Sequence, residues 1–250
     1  REKELVNLLD KHRKNDGSYD CIVPGSGGKD SCYVSHLLKY KYDMNPLTVT
    51  WAPNEFTQIG WENFQSWLNS GFDNILVTPN REVHRKLTKY SFLNLLHPFQ
   101  SFIVGQKIAA PKIAIKYKIP LIIYGENPAE YGNNIDDNFK PKMDESYFSI
   151  EKSKLNNFYL AGYLKKELIN RNILTEKDFN FYKPIDVEEV RANNLEIHYM
   201  SYYKRWDPQE NYYYAVDNCG FKPAEQRTVG SYSKYSSLDD KIDMFHYYTT

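Results

Sequence analysis

Cysteine is scarce in this 250-residue sequence, which has only Cys21, Cys32 and Cys219. An odd count without CxxC spacing excludes a disulfide framework and a zinc site built from these residues. No apolar run reaches the roughly 18 residues of a membrane-spanning helix, and mean hydropathy is -0.67. An excess of one charge sign is also missing. Lys+Arg and Asp+Glu stand at 32 each, so no global field recruits nucleic acid or an anionic membrane. There is no signal peptide pattern, no repeat and no low-complexity linker. These absences leave one globular domain, or one domain with an appendage, set in a reducing cytoplasm.

What is present alternates strand and helix. Helical spacing is expected over residues 2–14, 30–42, 57–70, 81–96 and 101–117. Short apolar strands are expected at 19–24, 46–51, 74–78 and 120–124. This alternation predicts an α/β fold, a doubly wound parallel sheet with helices on both faces. Such sheets bind ligands at the carboxyl ends of their strands. The ATP-binding α/β domain is placed at residues 1–150. Residues 151–250 are expected to form a mainly helical extension of the same catalytic unit. It would hold a helix over Leu155–Arg171, a short helix at 186–193, a strand at 195–199 and a flexible basic tail.

The strongest local signal is Pro24-Gly25-Ser26-Gly27-Gly28-Lys29-Asp30-Ser31, set between a strand and a helix. Glycines let backbone N–H groups turn toward an anion, and the helix start adds positive potential. A Walker A loop would need Gly at 23 and Ser or Thr at 30, where Val23 and Asp30 stand. A dinucleotide fingerprint beginning at Gly25 also fails at Asp30. The pattern Ser-Gly-Gly-x-Asp-Ser over residues 26–31 is similar to the pyrophosphate loop of the ATP pyrophosphatases, the PP-loop superfamily. In that reading Ser26, Gly27, Gly28, Lys29 and Ser31 grip the β- and γ-phosphates of ATP. Asp30 meets them through Mg²⁺. Holding β and γ together favours attack at the α-phosphorus, with pyrophosphate leaving and an adenylated acceptor formed. Thr50 and Trp51 end the second strand over the adenine, although core packing is an equal reading for Trp51. Gly125 would let backbone approach a ligand, with Glu126 and Glu130 as polar contacts or plain solvated acids.

Further segments widen the likeness. They are residues 19–24, Val49-Thr50-Trp51-Ala52-Pro53, Ile59-Gly60-Trp61, residues 94–99 and Tyr124–Gly132. Together with the loop, they make the chain resemble the N-acetyl sugar amidotransferases over almost its whole length. The resemblance implies adenylation of an acetamido sugar, then displacement of AMP by ammonia to give an acetamidino group. It implies a role in surface polysaccharide or flagellar glycan synthesis. Ammonia would come from a separate glutaminase- and cyclase-like subunit pair. Asp30, Lys29 and Glu126 are the expected catalytic residues. The family's cysteine-rich, zinc-ribbon-like segment is not in this sequence, so zinc is expected only outside it, and the chain is expected to be the core of a longer enzyme. Gly25 stands where the family carries a larger residue, which predicts a looser loop.

Two further functions stay open at this point. One is a tRNA-modifying or thiolating enzyme of the same fold, which the neutral charge disfavours. The other is a nucleotide-binding protein without turnover. Cys32 and Cys21 read as packing, and a thiolate at Cys32 would be the thiolating alternative. His97 is a helix-end cap or a site contact. Arg227 and Lys234 in the tail are candidates to close over phosphate. Tyrosine is abundant at 22 residues, and tyrosines within 199–214 are candidates to wall a sugar site.

Overall fold

A computed structural model describes residues 1–126 and 139–249. Helix α1 (Glu2–His12) leads to strand β1 (Cys21–Pro24). Helix α2 (Lys29–His36) runs on into a wider π-helical turn, Leu37–Lys41. Then come β2 (Pro46–Trp51), α3 (Gln58–Asn69), β3 (Asn74–Val77), α4 (Arg81–Leu95), α5 (Gln100–Tyr117) and β4 (Leu121–Tyr124). Helix starts follow local chemistry. The Thr57 hydroxyl caps α3 by accepting from the Gly60 N–H, and Asn80 caps α4 through the N–H groups of Glu82 and Val83.

The second half is more broken. It contains β5 (Ser149–Ile150), β6 (Tyr159–Leu160), β7 (Tyr163–Leu164), α6 (Lys165–Asn170), β8 (Ile185–Asp186), α7 (Val187–Ala192), β9 (Glu196–Tyr199), α8 (Met200–Tyr203) and α9 (Pro208–Cys219). The helix expected over Leu155–Arg171 is corrected: only Lys165–Asn170 is helical. Residues 159–164 instead form a tight hairpin, turned by Ala161 and Gly162 in the left-handed region. Leu160 and Leu168 are both fully buried, so their spacing reports burial rather than one continuous helix. Asp207 caps α9, and Pro208 opens it.

The central sheet is fully parallel, in the order β3-β2-β1-β4-β9. The doubly wound α/β reading therefore holds, and β9 from the later half completes the sheet. Side chains alternate across it. Ile22, Ile122 and Ile197 pack with Leu87 of α4 and Ile108 and Ala114 of α5. Cys21, Val23, Leu121 and Ile123 pack with Leu5 and Leu9 of α1 and Val34 of α2. The strand order reverses between β1 and β4, so a crevice opens at their carboxyl ends. No helix among the described residues is long and apolar enough to cross a membrane.

At the opposite end of the sheet, Glu196 on β9 ties down α1. Its carboxylate takes Lys11 Nζ and His12 Nε2, each at 2.7 Å. Burial pushes this carboxyl upward, but the hydrogen bonds from Lys11 and His12 outweigh it and hold the group down at about 2. A depressed carboxylate stabilises the fold above its unfolded value near 4.5 and loses that contribution as pH falls toward about 2. Glu196→Gln is therefore expected to cost about 2 kcal/mol at neutral pH. It should also flatten the acid side of the stability curve, read by urea unfolding at pH 7, 4 and 2.5.

Candidate active site

The glycine loop follows β1 at the point where the strand order reverses. Its first residue extends the sheet, since the Gly25 N–H donates to Val49 O at 3.0 Å. Gly27 has φ +89°, and a Cβ there would lie 2.6 Å from Phe64 Cα on α3. Gly28 has nothing within 4 Å of a built Cβ, so its side faces open space. Ser31 Oγ donates back to Gly28 O at 3.0 Å and closes the loop on itself. One glycine expectation is corrected by space. A Cβ at Gly25 would meet Ser31 Cβ at 2.2 Å, so the small residue marks a tight loop, not a loose one. Gly125 lines the cavity, and a Cβ there would meet Asp30 O at 2.7 Å, so its bare position also admits the protein's own backbone.

The loop floors a cavity of about 580 Å³. Lys29 is only 8% exposed. Its ammonium pairs with Asp30 Oδ2 at 2.5 Å and lies 5.6 Å from the centre of the Tyr235 ring. The other oxygen of Asp30 accepts from Asn211 Nδ2 of α9 at 3.0 Å. Ser26, Gly27, Gly28, Ser31, Trp51, Gly125, Glu126 and His97 all line the same cavity. Glu126 sits near Gln106 Nε2, at 3.5 Å. Burial pulls His97 below its usual range, and its Nδ1 has no hydrogen-bond partner among the described residues. The same holds for the buried Tyr124 hydroxyl and Trp51 Nε1. The Trp51 ring also packs edge-on against Tyr182 and Phe181, so its body belongs to the core.

Other expected residues lie elsewhere. Thr50 is fully buried within the sheet, and its hydroxyl accepts from Asn74 Nδ2 rather than facing the cavity. Arg227 is exposed and lines neither this cavity nor its neighbour. Lys234 lines the neighbouring cavity. Glu130 falls outside the described residues. The three cysteines are buried away from the cavity. Cys32 and Cys219 nevertheless meet, with Cys219 Sγ 3.8 Å from Cys32 O. Burial pushes the Cys32 thiol well up, which makes it an inert packing group.

The wall that sequence reasoning missed comes from residues 235–243. This segment docks on the turn after β2. Asp240 is buried and accepts from Asn54 N, Asn54 Nδ2 and Glu55 N. The Thr57 N–H donates to Asp239 O at 3.2 Å, and the Lys241 N–H donates to Glu55 O at 3.0 Å. A Cβ at Gly60 would lie 2.5 Å from Asp239 Cα, so the first turn of α3 admits the segment only because that position is bare. The segment brings Asp239 and Asp243 into the cavity. Burial raises the Asp239 carboxyl, while a hydrogen bond with Ser26 partly offsets the rise. Burial and the neighbouring Asp239 push Asp243 up to about 7. The only local signal was the Asp239-Asp240 doublet in a Ser- and Lys-rich stretch.

No cluster of three His, Cys, Asp or Glu residues suited to a metal occurs among the described residues. Mg²⁺ does not need one, since it commonly takes one or two carboxylates plus substrate phosphates and keeps its waters. Asp30, half-buried beside an open anion cradle, fits that pattern.

No family model matches the chain. Over 48 residues, 19% of this chain, it is 46% identical to an uncharacterized protein of Methanocaldococcus jannaschii. That match spans only 17% of the relative's length. Among solved structures, it is similar to NMN synthetase from Francisella tularensis at a TM-score of 0.41 and 12% identity, covering 98% of this chain and 90% of that one. It is also similar to the U34-tRNA thiolase NcsA from Methanococcus maripaludis, solved with its 4Fe–4S cluster. There the TM-score is 0.38 and the identity 13%, covering 98% of this chain and 70% of that one.

The raised carboxyl of Asp243 has a consequence for anions in the cavity. Below about pH 7 it is neutral, and above that it faces the cavity as a negative charge. Affinity for ATP without divalent metal is therefore expected to fall severalfold more between pH 6 and 8 than in Asp243→Asn. Parallel titrations of the two proteins by calorimetry check this. Equal pH slopes would remove Asp243 from the anion site.

Proposed function

We propose that this chain carries the ATP site of an AMP-forming amidotransferase acting on an acetamido sugar. The observation that carries the reading is the Ser26–Ser31 loop at the carboxyl end of β1, where the strand order reverses, with Gly28 open to the cavity. Backbone N–H groups there would bind the β- and γ-phosphates, and Lys29 would meet the charge that grows on departing pyrophosphate. Asp30 is the residue that would hold Mg²⁺, and the ion would supply further neutralisation of phosphate charge.

The acetamido oxygen attacks the α-phosphorus, and the bond from that phosphorus to pyrophosphate breaks. The amide nitrogen gives up its proton. Glu126, at the end of β4, is the candidate to accept it. Ammonia then adds to the activated carbon, and AMP leaves with the former amide oxygen. The product carries C=N and NH₂ where the amide stood. The sugar specificity rests on the resemblance in the Val49–Pro53, Asn94–Phe99 and Tyr124–Gly132 segments. The ammonia source in this reading is a separate glutaminase-type partner, since all three cysteines are buried and none is set out as a glutaminase nucleophile.

Full-length protein supplied with ATP, ammonium and a panel of acetamido sugars is expected to form AMP and pyrophosphate in equal amounts. Formation of ADP and phosphate would overturn the mechanism. Asp30→Asn should lower turnover by about 100-fold or more with an unchanged melting profile. Undiminished turnover would remove Asp30 from the site.

A further inference from the structure

The last turn of α4 leaves a run of large apolar side chains in water. Phe92, Leu93, Leu95 and Leu96 are 50%, 59%, 44% and 70% exposed. The stripe that α4 buries is carried by Val83, Leu87 and Ser91. At 3.6 residues per turn, Phe92 and Leu93 stand well round the helix from that stripe, so they are not core residues left half covered. The β6–β7 hairpin adds to the same corner. Asn94 Nδ2 donates to Ala161 O at 2.8 Å and fixes the hairpin against this turn, and Tyr159, two residues earlier, is 68% exposed.

The backbone of Leu96 is a second, independent observation. It lies in the left-handed region at φ 54°, where Gly or Asn commonly ends a helix. The other non-glycine residues in this region, among those described, are Asp43, Lys118, Ala161, Asn172, Asn194 and Ser237, all polar or small. A leucine here carries a conformational cost. With its side chain mostly in water, it gains little in return within one chain.

Area and charge select what covers the patch. Taking roughly 200 Å² for each fully open side chain, the five side chains expose about 600 Å². A standard interface takes about 800 Å² from each partner, so the patch with its polar rim suffices for one side. The chain has 32 residues of each charge sign, so two copies approach without mutual repulsion. Arg85 and Lys89 are exposed nearer the start of α4. Arg85 lies about 16 Å along the helix from Leu96. Packing two helix tips across a two-fold axis sets apolar on apolar and carries the two Arg85 side chains apart.

We propose that the tip of α4, with Tyr159, is the contact face of a homodimer, in which a second copy of this chain packs tip to tip. This pairing does not depend on the adenylation reading. It does touch the site, because Leu96 is followed by His97, which lines the cavity over the glycine loop. Pairing would close the outer side of that corner.

Sedimentation of the full-length protein between about 1 and about 200 µM tests the pairing. A monomer–dimer equilibrium with a Kd of about 50 µM or tighter is expected. Leu93→Glu should weaken it about tenfold or more. Leu96→Gly separates association from folding, since it relieves the backbone and removes the side chain. Its melting temperature in dilute solution should hold or rise while Kd rises about fivefold. Arg85→Glu, at the diverging end, should leave Kd within about twofold. Hydroxyl-radical footprinting should show Phe92 and Leu93 becoming protected as concentration rises. A full-length protein still monomeric at the highest concentration overturns the proposal, and protection of Phe92 and Leu93 in that monomer would give the patch to another part of the same chain. A dimer that Leu93→Glu leaves intact, or that Arg85→Glu disrupts as strongly, overturns it too. So does a Leu96→Gly variant that loses thermal stability with Kd unchanged, which would make Leu96 a residue of the fold alone.

Discussion

The site depends on three backbone approaches that leave no room for a side chain. Ser31 crowds Gly25, α3 crowds Gly27, and the Asp30 carbonyl crowds Gly125. Together they press the end of β1, the start of α2, the flank of α3 and the end of β4 into one rigid block. The loop is then held in place without first being ordered by a ligand, and donors fixed in advance are worth most in a partly dry site. Gly28 alone is left open. Close contact fixes the rest of the loop, and this one position gives access to it.

Charge is divided across this block. Carboxylates from Asp30, Asp239 and Asp243 line the cavity over the loop, and the neighbouring cavity takes Lys234 and, among the described residues, no carboxylate. The buried ammonium of Lys29 is the boundary, held by Asp30 and set beside the Tyr235 ring. Carboxylates near the glycine loop would oppose binding of an anion there. Burial keeps Asp239 and Asp243 protonated to a higher pH and softens that opposition.

The sheet and the loop were legible because their signals are local. Apolar runs near Ile22, Val49 and Ile122 are bounded by turns, and Ser26–Ser31 is contiguous. Residues that act through distant neighbours were not legible. Nothing near Asp240 in sequence shows that it will cap Asn54 and Glu55. Nothing near Cys219 shows that it will meet Cys32, 187 positions earlier. The Leu155–Arg171 stretch misled through its leucines, which are buried in a hairpin as readily as in a helix. Asn211 on α9 became visible as a partner of Asp30 only once α9 was seen packed against α2.

The docking of residues 235–243 on the turn after β2 also bears on when the site comes into being. During synthesis the loop, β2 and α3 leave the ribosome well before the wall that encloses the cavity is made. Until Asp240 reaches Asn54 and Glu55, the cavity over the glycine loop has one side missing. A partly made chain, or one clipped before residue 235, would hold every strand of the sheet yet lack the side of the cavity that Asp239, Asp240 and Asp243 supply.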